Sequence, residues 1–177
     1  MKRWFALSTV LVVVIVVGIS GFFLLGFYDV GATRSHSRPA NWTMHTVMRQ
    51  SVRRHAADVP APPAKSAATL REGAQHYREM CVECHGAPGM SAGDVGKGLM
   101  PPAPDLAKTA TSWSRQELFW IIKNGVRFTG MPAWGESADD EEIWALAAFV
   151  ETLPQLNPEQ YRAMAVEKNS APHTHRH

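Results

Sequence analysis

The longest apolar stretch of the chain lies at its N-terminus. After Met1-Lys2-Arg3, an uncharged and mostly apolar run of 25 residues extends from Trp4 to Tyr28. A helix rises about 1.5 Å per residue, so a run of this length can cross the roughly 30 Å hydrocarbon core of a bilayer. A cleaved signal peptide has a shorter apolar region and a small-residue cleavage site, and this run fits neither condition. The pattern predicts an uncleaved membrane anchor over residues 1–28, with the basic N-terminus in the cytoplasm.

A basic and more polar segment follows, over residues 29–66. Apolar residues scattered among Arg and His predict a helix from about Asn41, as N-cap, to Ala56. Such a helix could lie on the membrane surface, form a solvated stalk or pack on a partner subunit. Residues 58–67 are rich in proline and predict a semi-rigid, extended linker.

Helical periodicity dominates residues 67–154. A capping-box pattern at Thr69–Glu72 predicts the start of a helix, whose apolar positions recur every three or four residues. This stripe consists of Leu70, Ala74, Tyr77, Cys81 and Cys84. Gly73 lies within the same helix and predicts a close crossing with another helix. The glycine- and proline-rich segment between Gly86 and Lys108 predicts a loop.

Two further helices are predicted before the chain becomes polar again. A capping box at Ser114–Glu117 opens a short, buried helix that ends at Asn124-Gly125. Asp139 caps a last helix, which is apolar on nearly every side until Pro154 ends it and must therefore be covered on more than one face. Residues 155–177 are polar and predict a disordered tail that includes His173, His175 and His177. The predicted fold class is all-α.

The candidate chemistry is concentrated in Cys81-Val82-Glu83-Cys84-His85. Two cysteines three residues apart, followed at once by a histidine, form the pattern by which a c-type haem is attached. In one helical turn both thiols face the same way and can form thioethers, while His85 reaches the iron as the proximal ligand. A zinc site would need two more ligands, and a thioredoxin-like site would need surrounding strands. One covalently attached haem c is therefore the predicted cofactor.

The second axial position of the iron calls for a neutral donor. Met131 lies in the Gly- and Pro-framed loop Thr129–Trp134, between the last two predicted helices, and is the favoured ligand. Met100 is the second choice, because it follows His85 by only fifteen residues and would need a tighter wrap. The aromatic residues near these loops are expected either to shield the haem or to fill the core. They are Trp120, Phe128, Trp134, Trp144 and Phe149.

The charge distribution is more informative than the net charge of +2, which indicates no nucleic-acid partner. Residues 1–65 carry eight Lys and Arg against two Asp and Glu, whereas residues 66–160 carry seven against thirteen. The basic segment suits anionic lipid headgroups, and the acidic segment suits a positively charged docking surface. Neither internal repeats nor a phosphate-binding glycine loop is present in the sequence.

Residues 67–154 resemble a class I c-type cytochrome domain. The motifs that carry the resemblance are Gly73 and Tyr77 ahead of the CxxCH pattern, Pro104-Asp105-Leu106, Gly130-Met131-Pro132 and an aromatic-containing last helix. The whole chain resembles membrane-anchored monohaem cytochromes c of bacterial respiratory chains. This resemblance implies a class I cytochrome c fold around one covalently bound haem, preceded by one transmembrane helix.

The resemblance also implies specific contacts. Gly73 should meet the neighbourhood of Phe149 where the two terminal helices cross. A proline carbonyl should accept the Nδ1 proton of the proximal histidine, and Pro101, Pro102 and Pro104 all qualify.

The expected function is one-electron transfer by His/Met-ligated iron, without enzymatic turnover. The expected partners are a quinol-oxidising complex, a dehydrogenase or a terminal oxidase. The expected location is the bacterial cytoplasmic membrane, with the haem domain on its periplasmic side. Two alternatives remain open at this point: a fixed cytochrome subunit of a larger membrane oxidoreductase, and a haem enzyme or gas sensor with a labile sixth ligand.

Overall fold

A computed structural model describes residues 2–165 of the chain. These residues form helices, turns and loops with no β-strand among them, so the all-α prediction is confirmed. The chain divides into two compact units, Met1–Ala32 and Thr33–His177. Residues 166–177, which include the three terminal histidines, lie outside the described part.

The first unit contains a single helix, α1 (Lys2–Leu24). Within it, Arg3–Leu24 is long and apolar enough to cross a membrane. The helix ends four residues before Tyr28, where the apolar run stops. Gly26 follows in a left-handed conformation, with φ 75°, and this conformation turns the chain out of the helix.

The second unit contains eight α-helices within its described residues. In chain order they are α2 (Arg38–Ala56), α3 (Ala67–Met80), α4 (Val82–His85), α5 (Asp94–Lys97), α6 (Leu106–Thr109), α7 (Arg115–Asn124), α8 (Asp140–Thr152) and α9 (Pro158–Ala165). The predicted loop between Gly86 and Lys108 therefore contains one short helix, α5, and the start of another, α6. Short 3₁₀ turns at Ala110–Ser112, Trp134–Glu136 and Leu153–Gln155 complete the unit.

Local hydrogen bonds explain most helix starts. The two capping boxes predicted for α7 and α8 are both present, with Ser114 and Asp139 as N-caps. Helix α3 starts earlier than predicted, because the Ser66 hydroxyl accepts a hydrogen bond from the Thr69 N–H at 3.0 Å. Helix α2 also starts earlier, with Ser37 rather than Asn41 as its N-cap. Pro39 fits in the first turn, where a backbone N–H would have no helical partner.

Helix α8 is the centre of the domain and packs between α3 and α7. Its buried side chains include Ile143, Leu146 and Phe149. At Gly73 of α3 the two helices touch backbone to backbone. A Cβ built there would overlap the Ala145 carbonyl oxygen and lie 2.8 Å from the Phe149 Cβ. The predicted close crossing at Gly73 is confirmed.

Helix α2 packs on α7 of its own chain. This contact bears on whether α2 is a solvated stalk or a docked arm. Val52 and Ala56 are buried there. The His55 ring stacks on Trp120 with centroids 5.5 Å apart, and the Arg49 guanidinium lies 4.8 Å from the centre of the Trp113 ring. The described contacts are therefore those of an arm docked on the domain, rather than of a free stalk.

The end of the proline-rich linker is also tied to the domain. Arg115 donates one hydrogen bond to the Pro63 carbonyl oxygen at 2.9 Å and another to Glu151 at 2.7 Å. Lys65 lies 2.8 Å from the same carboxylate. Burial raises the pKa of Glu151, but the hydrogen bonds from Lys65 and Arg115 outweigh burial and hold that pKa below its ordinary value.

Helix α9 differs from the predicted disordered tail. Asn157 caps it by accepting hydrogen bonds from the N–H groups of Glu159 and Gln160. Tyr161 and Ala165, one turn apart, are buried against α3, and Arg78 of α3 donates a hydrogen bond to the Ala165 carbonyl. The sequence did not reveal this helix, because two buried positions in eight residues make too weak a periodic signal.

We predict that Gly73→Ala destabilises the domain by about 1–3 kcal/mol, because the new Cβ forces α3 and α8 apart. Chemical denaturation of the full chain measures the change. Gly98→Ala is the matched control, since the atoms nearest to the added Cβ lie 3.6 Å away. The control should stay within about 0.5 kcal/mol of the wild type. Equal stabilities for both variants would contradict the tight crossing.

Candidate haem-binding site

The CxxCH segment continues directly from α3 as one helical turn. The Cys81 N–H donates to the Tyr77 carbonyl oxygen at 2.9 Å, and the His85 N–H donates to the Cys81 carbonyl oxygen at 2.9 Å. Cys81 is buried and Cys84 is half-buried, and both are free thiols. Burial, with a smaller effect from Cys84, raises the pKa of the Cys81 thiol to about 12. The turn thus presents two free thiols and one imidazole within five residues.

Helix α5 packs on the backbone of this turn. The Gly93 N–H donates to the Glu83 carbonyl oxygen at 2.9 Å, and the Glu83 carboxylate accepts from the Val95 N–H at 3.2 Å. A Cβ on Gly96 would lie only 2.7 Å from the Cys84 carbonyl oxygen. Glycine is therefore required for α5 to reach the turn. Glu83, an unspecified position of the motif, caps α5, and sequence reasoning had assigned it no role.

A hydrogen bond to the imidazole ring fixes the orientation of His85. Its Nδ1 atom lies 2.8 Å from the Pro104 carbonyl oxygen. Because a carbonyl oxygen only accepts hydrogen bonds, Nδ1 carries the proton and donates it. Burial lowers the pKa of His85, and the Pro104 bond opposes this with a smaller effect. The imidazole is therefore neutral at physiological pH, with the Nε2 lone pair available to a metal. Of the three candidate prolines, Pro104 supplies the contact.

Tyr77 holds the backbone on the other side of His85. Its hydroxyl donates to the Gly86 carbonyl oxygen at 2.7 Å. Burial raises the Tyr77 pKa far above its ordinary value, so the hydroxyl remains a donor. Gly86 has φ 66°, and a Cβ there would lie 2.5 Å from the Met90 carbonyl oxygen. A tyrosine on the buried face of a helix predicts a hydrogen bond of this kind, because its hydroxyl needs a partner.

Met131 lies in a closed loop after α7. The Val126 N–H donates to the Met131 carbonyl oxygen at 3.2 Å. The Thr129 hydroxyl donates to the Val126 carbonyl oxygen at 2.7 Å and accepts from the Met131 N–H at 3.1 Å. Met131 is half-buried and packs against the core cluster that contains Cys81. Met100 is outside the set of described residues that pack on this core, although its neighbour Leu99 touches Gly130 of the loop.

The five aromatic residues expected near the haem have different surroundings. Trp134 packs on the core, while Trp144 stacks on Phe119 with ring centroids 4.1 Å apart. Phe149 contacts the rings of both Tyr77 and Tyr161, and Trp120 stacks on His55. Phe128 does not pack in the protein core, since it is 80 % exposed, and for this residue haem shielding stays a prediction. Its backbone φ of 62° lies in the left-handed region.

The donor set fits a covalently attached haem. Two thiols lie on one helical turn, and the imidazole beside them keeps Nε2 available because Nδ1 is already bonded. A thioether packs on the same core from a separate loop. These donors suit covalent attachment of a haem and neutral axial ligation of its iron.

We predict that Tyr77→Phe destabilises the full chain by about 1–2 kcal/mol, because it leaves the buried Gly86 carbonyl without its donor. Thermal or denaturant unfolding measures the loss. Tyr161→Phe is the control, since it removes a hydroxyl from the same ring cluster and leaves the Tyr77 bond to the Gly86 carbonyl in place. A Tyr77→Phe variant as stable as the control would contradict the role assigned to the hydroxyl.

A comparison with known families supports the same conclusion. The family model described as cytochrome C oxidase, cbb3-type, subunit III matches residues 68–150. The matched segment runs from α3 through the CxxCH turn and the Met131 loop into α8, and it leaves out α1, α2 and α9. No curated protein matches the chain. Residues 68–150 therefore belong to a class I c-type cytochrome domain, which carries covalently bound haem c.

Proposed function

We propose that the protein is a membrane-anchored one-electron carrier of a bacterial respiratory chain, with His85 and Met131 as the axial ligands of its iron. The observation that carries the proposal is the hydrogen bond from His85 Nδ1 to the Pro104 carbonyl oxygen. It fixes the ring in the tautomer that binds a metal through Nε2. The match to a cytochrome family supports haem-based electron transfer in general.

The proposed ligands explain why the site would exchange electrons rather than bind substrates. A c-type haem supplies one-electron iron chemistry when bound, and ligation by His and Met raises its potential. His85 and Met131 are both neutral donors, and together they would hold the iron of the haem. The hydrogen bonds of Val126 and Thr129 hold the Met131 backbone in one conformation. The ligand set would therefore need little rearrangement when the charge changes.

The membrane placement is also part of the proposal. Helix α1 would anchor residues 1–28 in the cytoplasmic membrane, with the haem domain on the periplasmic side, where covalent haem attachment takes place in the bacterial systems this chain resembles. Partners would be a quinol-oxidising complex, a dehydrogenase or a terminal oxidase. The apolar length of α1 supports the anchor.

A fixed subunit of a membrane oxidoreductase is the second candidate. The description of the matched family, an oxidase subunit, favours it. The two candidates share the haem site and differ in association: a free carrier migrates alone after solubilisation in mild detergent, whereas a fixed subunit migrates with its complex.

We predict that Met131→Ala in the full chain abolishes the thioether-to-iron charge-transfer band at the red edge of the ferric spectrum. It should also let carbon monoxide bind the ferrous form, because one axial position is then open. Met100→Ala is the matched control and should retain the band.

An unchanged band in Met131→Ala would exclude Met131 as ligand, and loss of the band in Met100→Ala would assign that role to Met100. Ready binding of carbon monoxide by the wild type would instead favour the haem enzyme or gas sensor.

A further inference from the structure

Helix α2 has two different sides. On one side, Val52 and Ala56 are buried where the helix packs on α7. Elsewhere the helix is open, and Trp42 is 70 % exposed and Val47 is 62 % exposed. Because side chains on a helix repeat every 3.6 residues, six exposed positions fall on one continuous arc that is turned away from Val52 and Ala56. In order around the helix, this exposed arc of α2 consists of Trp42, Arg53, Gln50, Thr43, Arg54 and Val47.

The charged residues of the exposed arc are all positive. Arg53 and Arg54 lie on it, and Arg38 is exposed at the start of the same helix. Glu117 of α7 lies 3.9 Å from Arg53, whose side chain nevertheless remains 54 % exposed. Residues 30–57 contain five arginines and no Asp or Glu. The positive charge of α2 is therefore not neutralised within its own segment of the chain.

The chain keeps α2 close to the proposed membrane anchor. Residues 25–37 join the end of α1 to the start of α2. A connection of this length spans at most roughly 45 Å when it is fully extended. With α1 across the bilayer as proposed, α2 starts within this distance of the phospholipid headgroups. Arginines beside an anionic membrane surface are attracted to it, and tryptophan is enriched at the level of the headgroups.

We propose that the exposed arc of α2 binds the headgroups of anionic phospholipids. Arg53 and Arg54 pair with lipid phosphates, and the Trp42 ring lies at the level of the headgroups. Because α2 is docked on α7, this binding holds the whole haem domain at the membrane surface. The inference rests on the proposed membrane anchor and not on the proposed electron transfer. A protein partner can also bind Arg and Trp side chains, but the short connection to α1 and the single sign of the charge favour lipid.

A nitroxide label on Gln50→Cys tests the exposed arc in the full chain, because haem attachment consumes the thiols of Cys81 and Cys84. The labelled holoprotein is placed in nanodiscs of phosphatidylcholine, alone or with phosphatidylglycerol added. We expect an immobilised component in the spectrum of the label only with phosphatidylglycerol, and this component should decrease as salt screens the charges. A label on Ala163→Cys, which is exposed on α9, is the control and should stay mobile in both lipids.

Charge variants of the labelled chain test the arginines. Arg54→Gln leaves the contact between Arg53 and Glu117 in place, and it should lower the ratio of immobilised to mobile label about fivefold. Adding Arg53→Gln should lower the ratio by about the same factor again. Arg162→Gln removes one exposed cation from α9 and should leave the ratio unchanged. The haem spectrum of every variant should match that of the wild type.

The other outcomes separate this inference from the proposed anchor. Equal immobilisation of the label in both lipids would overturn the charge-based contact. A label that stays mobile in both nanodiscs would also overturn it, and immobilisation in native membranes alone would show that a protein covers the arc instead. If high salt releases the chain from phosphatidylglycerol nanodiscs, α1 fails as an anchor while lipid binding by α2 stands. A chain that associates with neither lipid would refute both.

Discussion

The hydrogen bond between His85 Nδ1 and the Pro104 carbonyl oxygen is the contact on which the site depends. It joins the CxxCH turn to a loop nineteen residues later in the chain, and it fixes which ring nitrogen carries the proton. With Nδ1 committed to Pro104, the lone pair on Nε2 is the only one the ring can offer to iron. The rest of the domain keeps these two groups at hydrogen-bonding distance.

The packing of helices α3, α8 and α9 holds the CxxCH turn in place. Helices α3 and α8 touch at Gly73, and four residues later Tyr77 donates from the same interface to the Gly86 carbonyl. The residue after the proximal histidine is therefore tied to the centre of the core. Helix α9 closes the outer side of this interface with Tyr161. The same contacts therefore stabilise the fold and position the CxxCH turn. A change in the crossing of α3 and α8 would also change the geometry of that turn.

Local sequence patterns were sufficient where a local interaction decides the structure. Ser114 and Asp139 cap their helices as predicted, Gly73 marks a real crossing, and Cys81–His85 forms one helical turn. Contacts between residues far apart in the sequence could not be predicted from local patterns. Three prolines were equivalent in sequence, and only the path of the chain brings Pro104 to His85. The docking of α2 on α7 and of α9 on α3 likewise depends on surfaces that neither helix encodes alone.

Competition between local signals explains the remaining differences. Ser66 and Thr69 both fit an N-cap, and α3 adopts the earlier one, which adds helical residues. Phe128 was expected either to shield the haem or to fill the core, and it does not fill the core. Its backbone φ of 62° lies in the left-handed region, within a loop that hydrogen bonds close, and no apolar pattern reveals this conformation.

The most direct test of the central claim is the absorption spectrum of the membrane-purified wild-type protein, oxidised and reduced, with carbon monoxide added to the reduced form. The account predicts a low-spin c-type haem spectrum that carbon monoxide leaves unchanged, because both axial positions are filled. A reduced spectrum that changes readily on adding carbon monoxide would contradict it.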